Sequence, residues 1–290
     1  WRELRLSYPG WVILPENKRA QLHYETFQAL TNLFKYKDSL PVTILFDFLE
    51  ELLWRLDIIL YPVTPKLASI IETVISQDEN KDKDLSVFFL ALMRCYRQCG
   101  EIEKWKKTTD AFEKQYDLYS KETLLEYQYE KTLHALFHLN YKELKKHLSE
   151  WSLDNSFPFM NAKKAGVLAE IGEVFEAEKI LRQALVDIRR LQNASDTDTN
   201  CLLLSQEAYI ISLYENIVFS APIRYKKNEK ENDYTKVQEK YSSRLVELQK
   251  KLINPDQENE YFKLVLTSEY KRTALFEEKN EFEIHSTSYI

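Results

Sequence analysis

His134 and His138 stand four residues apart, and so do Cys95 and Cys99. Residues four apart on a helix share a face, so either pair has the spacing of two metal ligands. A helical zinc protease adds a glutamate directly after the first histidine, but Ala135, Leu136 and Phe137 fill the interval here. A structural zinc site needs four ligands. His147 comes only on the next helix, and the third cysteine, Cys201, is isolated in sequence. The histidines therefore read as packing residues and the cysteines as small apolar ones. No metal ligand is assigned. Carboxylates at helical spacing, such as Asp47 and Glu50, could share acid–base work. In a chain with 30% charged residues, such pairs are the ordinary wet face of a helix. No residue is singled out as catalytic.

Cofactor loops are missing as well. The chain has 290 residues and four glycines: Gly10, Gly100, Gly166 and Gly172. Average usage is about 7%, which would give roughly twenty. No two glycines are two apart, so there is no dinucleotide fingerprint, and none is followed by Lys-Ser/Thr, so there is no P-loop. A Gly-x-Ser-x-Gly elbow is also absent. No cofactor is expected. Sandwiches and barrels use many Gly/Pro turns, which four glycines and eight prolines cannot supply. Long helices joined by few corners remain.

Apolar residues make up 44%, enough for a real core, and the 18 Tyr, 15 Phe and 5 Trp are fillers between packed helices. The net charge of −6 argues against nucleic acid, whose binders carry a basic surplus. Three cysteines make no disulfide framework and suggest a reducing, cytoplasmic setting. The most apolar stretch, 44–63, carries Asp47, Glu50, Glu51, Arg55 and Asp57 and so is not a membrane span. The chain begins at Trp1 rather than Met, and the expectation is a piece of a longer protein with any catalytic domain elsewhere.

Pro9-Gly10 marks a turn, and residues 1–16 read as a short extended linker or docking segment. Apolar periodicity predicts helices over about 17–36, from Pro41 to Pro62, 65–76, 85–99, 101–117, 121–139, 142–151, 158–171, 173–193, 200–220, 234–253 and 258–279. Residues 17–280 form the helical domain on this reading, and 281–290 an extended or frayed tail.

The helices repeat as pairs. Phe89, Leu92, Met93 and Tyr96 precede Gly100 by 11, 8, 7 and 4, and Trp105 and Phe112 follow it. Ala165 and Leu168 precede Gly172 by 7 and 4, and Ala177, Leu181 and Ala184 follow it by 5, 9 and 12. A third corner falls at Leu139-Asn140, with Asn140 as its left-handed residue. Tyr129, Leu133 and Leu136 come before it, and Leu144, Leu148 and Trp151 come after, one residue early. Glycine or asparagine suits such a corner, and stacked pairs bury what one pair cannot. The run from Ala165 to Ala184 resembles the tetratricopeptide repeat family, with Gly172, Ala177 and Ala184 where the family has its glycine and two alanines. Trp105 and Lys145 depart from the small-residue position. The resemblance, over about 85–220, implies an all-α fold, an α-solenoid of antiparallel helix pairs. Tyr8-Pro9-Gly10-Trp11 with Leu14-Pro15 is similar to the start of the C-terminal helical regions of large bacterial defence proteins. In those proteins a sirtuin-like NAD-hydrolysing domain or another effector precedes a phage-sensing repeat region. That likeness implies a sensor or scaffold in antiviral defence.

In a tetratricopeptide-like array the first helix of each pair lines a concave groove. Its offsets bring Leu90, Arg94 and Arg97 there from one pair, and Tyr127, Glu130, His134 and Phe137 from the next. Arginines so placed could clamp a carboxylate of an extended peptide. The expected function is protein–protein recognition, with a protein or peptide partner, no membrane, and oligomerisation left to the rest of the protein. Two alternatives stand beside it: a helical domain with its own enzymatic site, and a helical-repeat nucleic-acid binder.

Overall fold

A computed structural model describes residues 16–58, 63–80, 82–194, 197–219 and 239–248. Tyr8 to Pro15 and the expected helix over 258–279 lie outside them. The described residues are helical and contain no strand. The helices are α1 (Glu16–Tyr36), α2 (Val42–Ile58), α3 (Pro65–Ile75), α4 (Ser86–Cys99), α5 (Ile102–Glu113), α6 (Lys121–Phe137), α7 (Tyr141–Glu150), α8 (Pro158–Glu170), α9 (Val174–Ala194), α10 (Thr197–Tyr214) and α11 (239–248). Among them none is long and apolar enough to cross a membrane.

Helix ends follow local chemistry. The Thr64 hydroxyl accepts from the Leu67 amide before α3, with Pro65 at the first helical position. The Ser120 hydroxyl accepts from the Thr123 amide before α6. α5 stops at Glu113, short of the expected 117, and a 3₁₀ turn at Tyr116–Leu118 leads into α6.

The chain divides into two compact units, one from Leu22 to Trp151 and the other from Ser152 onward together with the residues before Leu22. In the first unit α4 packs against α2, α3, α5 and α6, and α6 packs against α7. Its core runs through Leu49, Leu52 and Leu56 of α2, Ile71 and Val74 of α3, and Phe88 and Met93 of α4. Phe112 of α5 stacks on Tyr127 of α6 with ring centroids 4.5 Å apart. In the second unit α8, α9 and α10 pack on one another. The small residues Ala162, Ala165, Gly166, Ala177 and Ala184 are buried there, which lets the helices approach closely.

Three corners share one geometry. Gly100, Leu139 and Gly172 each sit at positive φ, at 73°, 54° and 88°. After each helix the left-handed residue's amide donates to the carbonyl three back, and the next amide to the carbonyl five back. The longer bonds are Glu101 to Tyr96, Asn140 to Ala135 and Glu173 to Leu168, at 2.8, 2.9 and 2.8 Å. This is the Schellman arrangement, which occupies two carbonyls the helix end leaves open. The residue after the left-handed one then opens the next helix: the carbonyls of Glu101, Asn140 and Glu173 accept from the amides of Trp105, Leu144 and Ala177.

The third corner corrects the sequence reading by one residue. The left-handed residue is Leu139 and not Asn140. Asn140 instead caps α7, its Oδ1 accepting from the Glu143 amide at 3.3 Å. Counted from Leu139, Leu144, Leu148 and Trp151 fall at 5, 9 and 12, the same offsets as Ala177, Leu181 and Ala184 from Gly172. All six side chains are buried. Leu144, rather than Lys145, holds the small-residue position.

Candidate partner-binding site

Arg97 lies in the last turn of α4 and Glu130 in the middle of α6. Because these helices pack together, both side chains end up in the seam between them, 5% and 6% exposed. Arg97 Nε donates to Glu130 Oε1 at 2.7 Å and Nη2 to Oε2 at 3.1 Å. The pair is bidentate, the geometry a planar guanidinium favours. The guanidinium also lies over the Phe137 ring, 4.7 Å from its centroid. Arg97 is three residues before the first corner and Phe137 two before the second. Their contact places both corners at the same end of the first unit.

His134, one turn along α6 from Glu130, stacks on Trp105 of α5 with centroids 3.7 Å apart and planes 17° apart. The His138 ring follows at 4.4 Å. Burial, then the neighbouring His138, Arg97 and His147, pulls the His134 pKa down to about 4. It is therefore neutral at pH 7. Trp105 Nε1, His134 Nε2 and His138 Nε2 are buried and have no hydrogen-bond partner among the described residues. Those residues hold no group of three or more His, Cys, Asp or Glu able to grip a metal ion. Cys95 is buried and Cys99 exposed; burial and the adjacent Cys99 push the Cys95 thiol up to about 12.

Tyr127 is 1% exposed, and its hydroxyl donates to Glu113 Oε1 at 2.6 Å. Burial, with that acceptor beside it, raises its pKa well above the usual phenol range. Leu90 is half-buried at the margin of the core, and Arg94 and His134 are half-buried. Of the seven residues expected to line an open groove, only Phe137 is freely exposed, at 56%. Arg97, Tyr127 and Glu130 are corrected to interior positions. The outward face of an isolated hairpin becomes the seam once the next hairpin packs on it, and the charge of Arg97 is spent on Glu130.

No family model, curated protein or solved structure matches the chain.

The same end of the unit exposes what the groove reading missed. Ile102, Phe137, Leu139 and Tyr141 are 51%, 56%, 67% and 56% exposed. Ile102 and Tyr141 each stand two residues after a left-handed corner residue. That shared offset, with an apolar residue in both pairs, was the signal available in the sequence. Four large apolar side chains flank the two corners, with Phe137 over the buried Arg97, and offer a surface suited to contact whose one titratable group is the Tyr141 phenol. Exposed apolar groupings of this kind mark interaction sites in soluble proteins.

Proposed function

We propose that this chain is a helical-repeat recognition module that holds a protein or peptide partner at the corner end of the unit from Leu22 to Trp151. The exposed set Ile102, Phe137, Leu139 and Tyr141 carries the proposal. Aromatic and aliphatic anchors on a rigid base are what hot spots are made of, and the Arg97–Glu130 pair beneath supplies the rigidity. We further infer that the hairpins belong to a tetratricopeptide-like α-solenoid. Supporting this are the three corners with the same bonds and the shared offsets of 5, 9 and 12. On this reading the module works in the cytoplasm and any chemistry belongs to another part of the protein. The antiviral reading rests on Tyr8–Pro15, outside the described residues, and the proposal stops at recognition.

A photo-crosslinking amino acid placed at Phe137 or Tyr141, in the protein expressed in its own cells, tests this. Light is expected to give a discrete adduct from these positions and none from the exposed Lys121, at the start of α6. Adducts absent from both corner positions, or equally abundant from Lys121, would refute the assignment.

A further inference from the structure

A second site has a different character and is independent of the recognition surface. In the unit from Ser152 onward, a cleft of about 510 Å³ opens between the C-terminal end of α9 and α11, lined in part by Arg189, Gln192, Lys240, Tyr241, Ser243 and Arg244. The Glu207 side chain of α10 is fully buried against it. Oε1 of Glu207 accepts from Arg189 Nε at 2.9 Å and from Arg244 Nε at 3.1 Å. Oε2 accepts from Arg244 Nη2 at 2.8 Å and from Gln192 Nε2 at 3.0 Å. One carboxylate thus fixes two guanidinium groups. Burial alone would raise its pKa, and the hydrogen bonds from Arg244, Gln192 and Arg189 outweigh burial and hold it below the usual carboxylate range.

The two arginines differ in what they have left. Arg244 is fully engaged, since its Nη1 meets Glu247 at 2.8 Å. Among the described residues Arg189 pairs only through Nε, and its side chain is 41% exposed. Its terminal nitrogens therefore remain at the cleft on a fork whose direction the buried carboxylate sets. Lys240 is exposed on the α11 wall and pairs with no carboxylate among the described residues. Ser243 adds a hydroxyl on the same wall. The C-terminal dipole of α9 opposes an anion here with about half a charge. Arg189, Lys240 and Arg244 set against Glu207 and Glu247, which also lines the cleft, leave one net positive charge, and this exceeds the dipole in a protein whose net charge is −6.

We propose that this cleft binds the phosphate of a small phosphorylated molecule. Arg189 and Lys240 are the ligating cations and Glu207 is the residue that positions Arg189. A planar fork held from behind matches phosphate oxygens in pairs, and the cleft volume falls in the range of small-molecule sites.

Calorimetric titration of the whole chain with sodium phosphate, glucose 6-phosphate and AMP, against sodium chloride at matched ionic strength, tests it. Saturable binding is expected for at least one phosphate probe and none for chloride, and the tightest probe identifies the organic part of the ligand. Lys240→Gln touches nothing in the Glu207 network, so its unfolding midpoint without ligand should match the parent while its affinity falls about tenfold, one charge-assisted contact. Arg189→Lys keeps the charge and loses the fork, and should also weaken binding. No saturation with any of the three probes, or affinity unchanged in Lys240→Gln, would overturn the proposal.

Discussion

Leu139 is the one described residue other than glycine at positive φ, and it occupies the place held by Gly100 and Gly172 at the other corners. A side chain in the left-handed region costs roughly 1–2 kcal/mol. Glycine avoids that but loses roughly 0.5–1 kcal/mol to the greater freedom of its unfolded chain. The side chain of Leu139 is 67% exposed and keeps some contacts, so a direct comparison of Leu139→Gly with the parent mixes two effects. Comparing Leu139→Gly with Leu139→Ala removes the mixture, because both lose the side chain beyond Cβ. Leu139→Gly should be the more stable of the two by about 0.5–1 kcal/mol, strain relief less chain entropy. Gly100→Ala is the mirror experiment. A Cβ there would meet nothing within 4 Å, so no clash adds to the backbone strain less chain entropy, and the cost should equal the same figure with opposite sign. With a urea slope of about 2–3 kcal/mol/M, the midpoints should separate by about 0.2–0.5 M. The assay is urea unfolding followed by tryptophan fluorescence. Equal midpoints for Leu139→Gly and Leu139→Ala, with Gly100→Ala clearly destabilised, would refute the claim that the corners are equivalent.

Other outcomes can be stated more briefly. Arg97→Met and Glu130→Gln should each cost about 3–5 kcal/mol, because either leaves a buried charge or its partner unmatched. The double variant Arg97→Met/Glu130→Leu should recover most of that, as read by denaturant unfolding. The folded pKa of His134 is about 4, below its unfolded 6.5. Its neutral form therefore gives full stability above pH 6.5, and stability falls as pH drops toward 4, because the unfolded state takes the proton first. With the ring about half-shielded, the loss should be on the order of 1–2 kcal/mol. His134→Phe, which keeps the stack on Trp105, should flatten the pH 4–6.5 limb of a thermal-unfolding series. Glu207→Ala should leave Arg189 and Arg244 facing each other without their carboxylate and loosen α11. Limited trypsin digestion within 239–248 should then run faster than in the parent.

The helical class and most helices were legible because apolar periodicity and scarce glycine both report on one chain segment at a time. Gly100 and Gly172 announced their corners for the same reason. The burial of Arg97, Tyr127 and Glu130 was not legible. A helical wheel places them on the outward face of their own hairpin, and only the packing of α4 on α6 turns that face inward. The Glu207 cluster was harder still, since it joins residues 189, 192, 207 and 244 from three helices with no local motif.

The Leu139 corner shows that a misfit in sequence can carry more information than a match. Asn140 attracted the corner because asparagine tolerates the left-handed region, yet asparagine is equally at home as a helix N-cap, and that is the role it takes. Residue type alone could not separate the two roles, because a one-residue corner puts them side by side. Register could. Placing the corner at Asn140 left Leu144, Leu148 and Trp151 each one residue early, a uniform displacement that moving the corner to Leu139 removes. Three buried positions cannot shift together without turning α7 by about 100° away from the core, whereas one leucine in the left-handed region costs about 1–2 kcal/mol. The burial of three large side chains outweighs that strain several times over. The chain therefore keeps the register, and the corner falls on whichever residue the register leaves there.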